Sequence, residues 1–230
     1  MGNGLKKVYA DIEGRYEVAN HLLTLGLDRL WRRRAARIAA ERGGRRWIDL
    51  CSGTGEMAAL TKRFAGPARS LFAADFSMPM LARARRKRGT RGIAFTMAEI
   101  DALPFSDCSF DLVTVSFAAR NIDRGGDTLC SAFREIFRVL RPGGWFVNLE
   151  TSRPSNPIVR MVFDSYVRLL VRPLGGAITG SDSGFDYLAD SILHFHTPGR
   201  LSEILREAGF SRVAWASLSL GAAAIHTAVR

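Results

Sequence analysis

The sequence has little cysteine, no long uncharged apolar run, no internal repeat and no low-complexity tract. Its three cysteines, Cys51, Cys108 and Cys130, are odd in number and far apart, without Cys-x-x-Cys spacing. That usage argues against a disulfide framework or a zinc site, so reduced thiols and no bound metal are expected. The apolar runs fall far short of the roughly 20 residues a spanning helix needs. Met1 to Val8 carries a basic pair but no apolar stretch followed by small residues, so no secretory signal is visible and a cytoplasmic location is expected.

What is present describes an ordinary globular chain. With 230 residues, 47% hydrophobic and 24% charged, it can bury a substantial core, and length favours one large domain. The formal charge of +11 is concentrated in two runs. Arg29, Arg32, Arg33, Arg34, Arg37, Arg42, Arg45 and Arg46 form one, and Arg83, Arg85, Arg86, Lys87, Arg88 and Arg91 the other. A solvated helix face is the plain reading of such runs. Attraction to anionic lipid or RNA is the alternative.

Residues 1–42 read as a helical N-terminal segment ended by Gly43 and Gly44. Short apolar runs and helical stretches then alternate: Arg46–Leu50, Met57–Phe64, Ser70–Ala74, Met78–Arg86, Ile93–Met97, Phe110–Ser116, Thr128–Leu140 and Trp145–Leu149. This order predicts an α/β fold, a parallel sheet with helices on both faces, over residues 43–152. Prolines and glycines in 153–199 punctuate one amphipathic helix, Ile158–Val171, and read as an inserted lid. Residues 200–230 read as a helix, Leu201–Ala208, and a closing hairpin of Arg212–Leu218 and Ala222–Val229.

The segment Trp47-Ile48-Asp49-Leu50-Cys51-Ser52-Gly53-Thr54-Gly55 is an apolar strand entering a glycine turn before a helix, where a backbone can approach a ligand closely. Twenty residues after Gly55, Asp75 ends the next apolar run, where a carboxylate can accept hydrogen bonds from both hydroxyls of a ribose. Gly53-x-Gly55-x-x-Ala58 also fits a dinucleotide fingerprint, so a nicotinamide enzyme remains a rival at this point. A purely structural turn, with Asp75 capping the helix that begins near Ser77, is another.

Later segments separate these readings. Glu99 precedes Asp101-Ala102-Leu103-Pro104-Phe105, Phe110–Ser116 is a buried strand aimed at the ligand crevice, and Glu135-x-x-Arg138-Val139-Leu140-Arg141-Pro142-Gly143-Gly144 joins a helix to a strand through a sharp turn. Together they resemble the class I S-adenosylmethionine-dependent methyltransferases. The resemblance implies a Rossmann-like, seven-stranded, mostly parallel sheet with a reversed last strand. It implies S-adenosyl-L-methionine as cofactor, with Asp49, Gly53, Thr54 and Gly55 around the methionine part, Asp75 at the ribose, Glu99 and Ile100 at the adenine and Ser116 near the sulfonium. Cys51 stands where many such enzymes carry a third glycine.

Further segments resemble one family, the ubiquinone and menaquinone biosynthesis C-methyltransferases. They are Tyr16-Glu17-Val18-Ala19-Asn20, Leu25-Gly26-Leu27-Asp28-Arg29-Leu30-Trp31-Arg32, Leu103-Pro104-Phe105, Phe117-Ala118-Ala119-Arg120-Asn121, Asp186 to Ile192, and Ala208-Gly209-Phe210 through Gly221 to His226. The resemblance implies methylation at a ring carbon of a demethylmenaquinol or a ubiquinol precursor. The reduced ring is required chemically: a hydroquinone that loses an O–H proton pushes charge onto the adjacent carbon, whereas a quinone is electron-poor. Arg120 and Asn121, just past the fourth strand, are the candidate catalytic residues. A guanidinium stays protonated, so Arg120 is assigned stabilisation of the developing oxyanion or orientation of a water that takes the proton. The plain alternative is an arginine that fixes a loop by pairing with Asp123 or Asp127.

Tyr16, Asn20, Phe117, Tyr187 and His194 are candidate acceptor contacts; for His194 a satisfied, partly buried histidine is the competing reading. Ala118-Ala119 and His196 depart from the family's usual glycine-aliphatic pair and proline, which bears on the ring rather than on the reaction. Expected partners are the prenylated hydroquinone and an anionic membrane surface at the arginine-rich helix, with no nucleic acid and with homodimerisation left open. An RNA or protein methyltransferase and a catalytically silent scaffold subunit are the other readings.

Overall fold

A computed structural model describes residues 21–66, 69–171 and 189–230. Seven strands form one sheet in the order β3-β2-β1-β4-β5-β7-β6: β1 (Arg46–Leu50), β2 (Ser70–Asp75), β3 (Ala94–Met97), β4 (Phe110–Ser116), β5 (Leu140–Thr151), β6 (Ser211–Leu218) and β7 (Ala223–Val229). The first five are mutually parallel and β7 runs antiparallel to both β5 and β6. The reversed last strand is therefore present. Strand order turns back between β1 and β4, and ligands of open α/β sheets bind outside the carboxyl ends of the strands at such a point.

Alternate residues of each central strand serve opposite faces. Val113, Val115 and Phe146 join one core with Phe133 and Ile136 of α5 (Thr128–Val139) and Leu201 and Leu205 of α7 (Pro198–Glu207). Leu112, Val147 and Leu149 join the other, with Ala35 and Ala36 of α1 (Leu27–Glu41) and Met57 and Ala58 of α2 (Glu56–Ala65). A strand buried on both faces must be apolar almost throughout, which is why β4 reads as a continuous run. Helix α1 buries Trp31, Ala35, Ala36 and Ala39 along one stripe and leaves Arg29, Arg33, Arg34 and Arg37 in solvent, so most of its arginine run is a solvated face. Arg32 departs from that pattern and is buried.

Many element ends shift by one to three residues, and two elements differ in kind from the sequence reading. The turn expected at Pro142-Gly143-Gly144 lies inside β5 as a bulge, because pairing with β4 jumps from Phe110↔Leu140 to Leu112↔Trp145. Gly143 takes φ 77°, and Asp111 anchors the neighbourhood, its carboxylate accepting from the Arg45 and Arg46 amides at 2.7 and 2.8 Å and from Arg141 Nη1 at 2.9 Å. Partial burial opposes ionisation of Asp111, but these donors outweigh it and hold the carboxyl below its usual range. The amphipathic helix expected over 158–171 divides into α6 (Pro157–Tyr166), capped by Asn156, and a π-helical turn, Val167–Val171. Helix α3 (Met78–Arg86) and the four-residue α4 (Ala119–Ile122) complete the elements used below.

Candidate functional site

The loop after β1 has the conformation its glycines foretell. Cys51, Gly53 and Gly55 have φ of 52°, 53° and 79°, so Cys51 occupies left-handed backbone that ordinarily favours glycine. The two glycines serve different ends. A Cβ on Gly55 would come within 3.0 Å of the Ala84 Cβ, so this glycine lets the loop seat against α3. A Cβ on Gly53 would meet open space, leaving that backbone approachable by a ligand. At the end of β2, Asp75 Oδ2 accepts from the Gly53 amide and Oδ1 from the Ser77 amide, both at 2.8 Å. Asp75 is thus a brace between loop and helix, while the cap of α3 itself is Ser77, whose Oγ accepts from Met80 N. Burial pushes the Asp75 carboxyl up despite those amide donors.

Asp49 is fully buried in β1, its Oδ1 accepting from Thr114 Oγ1 on β4 at 2.6 Å. Burial pushes its carboxyl up to about 7, against the Thr114 bond and the Arg32 charge. Thr54 is buried, Glu99 half-buried beside the bridge to Ala102, Ile100 buried in the core and Ser116 half-buried at the end of β4. All of these except Ile100 lie in the loops and strand ends on the carboxyl side of the sheet; Ile100 follows them into the core.

Beyond β4 the chain bends at Phe117, φ 56°, and enters α4. A cavity of about 290 Å³ opens beside it. Its walls are mainly apolar: Leu23, Leu27 and Trp31 from the N-terminal side, Phe163, Tyr166, Val167 and Val171 from α6 and the π turn, and Ile192. Trp31 anchors one wall by donating from Nε1 to Ser219 Oγ at 3.0 Å, and the Tyr166 hydroxyl donates to the Leu23 carbonyl. Among the described residues, three charged ones reach this lining: Asp28, Arg32 and Arg120.

Each of those charges is compensated in place. Arg120 Nη1 donates to Glu150 Oε1 at 2.6 Å, and both side chains are almost wholly buried, at 3% and 1% exposure. Asp28 is bonded by Arg32 of the same helix, one turn on, and lies 2.6 Å from His21 Nδ1, with Thr24 Oγ1 donating at 3.0 Å. Burial alone would raise the Asp28 carboxyl, but His21, Arg32 and Thr24 hold it below its usual value. Arg32 Nη2 also reaches Glu56 at 3.3 Å, and its guanidinium carbon lies 4.7 Å from the centroid of the Phe117 ring. Glu56 follows Gly55, so this network ties the cavity wall to the glycine loop. His21, Asp28 and Glu56 place ligand-type atoms within 4.8 Å of one another, but Arg32 already bridges the two carboxylates, which makes the cluster an ion-pair network.

The structure brings Phe117 and Arg120 to the cavity and packs Asn121, buried, directly behind them. It does not bring His194, whose exposed ring lies 2.9 Å from the Asp190 carbonyl while its neighbour Ile192 lines the wall. Tyr16, Asn20 and Tyr187 lie outside the described residues. Arg120 does not pair with Asp123 or Asp127, which instead meet His196 at 2.8 Å and Arg134 at 2.7 Å. Glu150, Glu56 and His21 were not foreseen as site residues. A carboxylate closing the apolar run Trp145–Leu149 was the visible signal for the first.

The fold and this loop are those of the Rossmann-like class to which S-adenosylmethionine-dependent methyltransferases belong. A protein from Thermotoga maritima described as a SAM-dependent methyltransferase superposes with a TM-score of 0.62 at 18% identity, covering 96% of this chain and 99% of its own. The fold also carries other chemistry: the [4+2]-cyclase SpnF superposes with a TM-score of 0.61 at 21% identity over 86% and 81%. Sequence decides the family. Residues 2–230 match the ubiE/COQ5 methyltransferase family, and the chain belongs to it. It is 40% identical to a demethylmenaquinone methyltransferase of Thermus thermophilus over 97% of this chain and the whole of that one. It is 34% identical to a ubiquinone/menaquinone biosynthesis C-methyltransferase of Desulfotalea psychrophila, over 100% and 91%.

Proposed function

We propose that this enzyme methylates a ring carbon of a reduced prenylquinone precursor, a demethylmenaquinol or a ubiquinol precursor, in quinone biosynthesis. The observation that carries the reading is the apolar cavity beside the carboxyl end of β4, lined by aliphatic and aromatic side chains and reached by Arg120. Its volume suits a substituted ring, and its lining suits the start of an isoprenoid tail. The names of the two relatives point to the same acceptors.

In this reading Gly53, Thr54 and Gly55 hold the methionine part of the cofactor, with Asp49 shaping the loop from beneath. Asp75 holds the ribose, Glu99 and Ile100 flank the adenine, and Ser116 lies near the sulfonium. The open side of Gly53 and the braced carboxylate of Asp75 support the fit. Bound S-adenosylmethionine supplies an electrophilic methyl group. Arg120 stabilises negative charge on the acceptor oxygen as its proton leaves, and Phe117 packs against the ring. Asn121 supports the Arg120 turn, Nδ2 donating to the Phe117 carbonyl at 3.4 Å. An Arg120→Lys enzyme keeps the charge but loses the planar fork, and its kcat is expected to fall about a hundredfold; unchanged turnover would remove Arg120 from catalysis.

No helix among the described residues is long and apolar enough to cross a membrane. An acceptor with a bilayer-soluble tail is therefore met at a surface. Exposed Ile158, Met161, Val162 and Leu169 run along the side of α6 and its π turn away from cavity-facing Phe163 and Val167, and Arg29 and Arg33 supply positive charge on α1. Liposome co-sedimentation that rises with anionic lipid and falls with salt supports this placement, and binding indifferent to both refutes it. For the substrate itself, mass spectrometry of quinones from cells with and without the gene is decisive: loss of the gene is expected to accumulate a species one methyl lighter.

A further inference from the structure

We propose that Glu150 is the positioning residue for Arg120, holding the guanidinium in register and cancelling its charge until negative charge develops on the acceptor; this rests on the quinol reading above. Glu150 Oε1 accepts from Arg120 Nη1 at 2.6 Å, from the Thr151 amide at 2.8 Å and from Thr151 Oγ1 at 3.0 Å. Its Oε2 accepts from the Arg120 backbone amide at 3.3 Å. One carboxylate thus grips Arg120 at both its amide and its guanidinium, and is itself fixed by the next residue of β5. Thr151 and Arg120 both line the cavity, so the grip lies immediately behind the wall that the acceptor meets.

Burial makes the arrangement informative. A lone guanidinium at 3% exposure beside an apolar cavity would be costly and would draw in anions of any kind. The Glu150 carboxylate cancels that charge, so a neutral hydroquinol enters beside an ion pair that is already desolvated. When the hydroxyl proton departs, the oxyanion meets a donor whose direction is already set. Asp28 and Arg32, the other charged groups lining the cavity among the described residues, pair with each other independently of Glu150.

The test separates charge from geometry. Glu150→Gln keeps length and an acceptor oxygen but removes the carboxylate charge beside Arg120, which favours the ionised acceptor. The limb of the pH–kcat profile governed by acceptor ionisation is then expected to move about one pH unit lower. Glu150→Asp keeps the charge but pulls the carboxylate back, so kcat is expected to fall about ten- to a hundredfold with that limb unmoved. Retained S-adenosylmethionine binding by calorimetry confirms that each variant is folded. Pure loss of activity in both variants with unshifted profiles makes Glu150 structural only and overturns the proposal. A wild-type enzyme that binds S-adenosylmethionine but leaves demethylmenaquinol unmethylated overturns the quinol reading instead. Binding of 1-naphthol, whose ultraviolet absorption distinguishes phenol from phenolate, then reads the pair without turnover: a lower ionisation midpoint when bound to Glu150→Gln than to wild type upholds the proposal, and equal midpoints refute it.

Discussion

Replacing Arg32 by Met tests whether the Asp28–Arg32 pair holds the cavity wall to the glycine loop. The two side chains are 2% and 9% exposed, so solvent screens their attraction little. Removing one partner of a buried ion pair costs about 3–5 kcal/mol, because the other charge stays buried without compensation. Here Thr24 and His21 still engage Asp28, which shifts the cost below that range, to about 2–4 kcal/mol. For a chain of this size that is a fall in melting temperature of roughly 5–12 °C. The pH dependence carries the cause. Asp28 is held below its ordinary value of 3.8 when folded, so its contribution is complete above that pH and is lost as pH falls through the folded value. Loss of Arg32 weakens that hold, so the gap between wild type and variant is full at neutral pH and narrows below about pH 4. Adding Asp28→Asn to the variant should recover part of the loss at neutral pH. Calorimetry from neutral to acid pH measures all three. A variant melting within about 2 °C of wild type, or a gap constant across the whole pH range, would refute the reasoning.

Two further outcomes follow from the glycine loop. Asp75→Ala removes the brace shared by the Gly53 and Ser77 amides and should weaken S-adenosylmethionine binding at least tenfold by calorimetry; unchanged affinity would remove Asp75 from the cofactor site. Gly55→Ala forces a Cβ towards Ala84 at φ 79° and should destabilise by about 1–3 kcal/mol, whereas Gly53→Ala, facing open space, should lose more cofactor affinity than stability. Equal effects of the two on melting and on binding would show that the loop does not divide its roles in this way.

Much of the sheet was legible because its central strands are short and mostly apolar runs. β1 and β4 have the bounds read from the sequence, and β2 extends by one residue, to Asp75 itself. The cofactor loop was legible for a local reason: close backbone approach and left-handed φ both demand small residues, and Cys51 at φ 52° stands where a glycine was missing from the pattern. The bulge in β5 was hidden because Pro142-Gly143-Gly144 is turn chemistry, and only pairing with β4 and with the chain end, Gly143 N to Arg230 O at 3.0 Å, keeps it in the strand. Arg120 was placed correctly beside β4, yet its partner lies 30 residues away on a neighbouring strand, beyond the reach of the nearby carboxylates Asp123 and Asp127. His194 shows the opposite failure. Its helical stretch does face the cavity, but through Ile192, and a shift of two positions turns the histidine into solvent.

The oxidation state of the acceptor is decisive, because Arg120 and Glu150 act on an oxygen that gives up a proton. The most direct measurement incubates the purified enzyme and S-adenosylmethionine with demethylmenaquinone held either reduced or oxidised, and follows the product by mass spectrometry. A product one methyl heavier is expected from the reduced form and none from the oxidised form. Equal methylation of both, or none of either by an enzyme that binds S-adenosylmethionine, would contradict this reading.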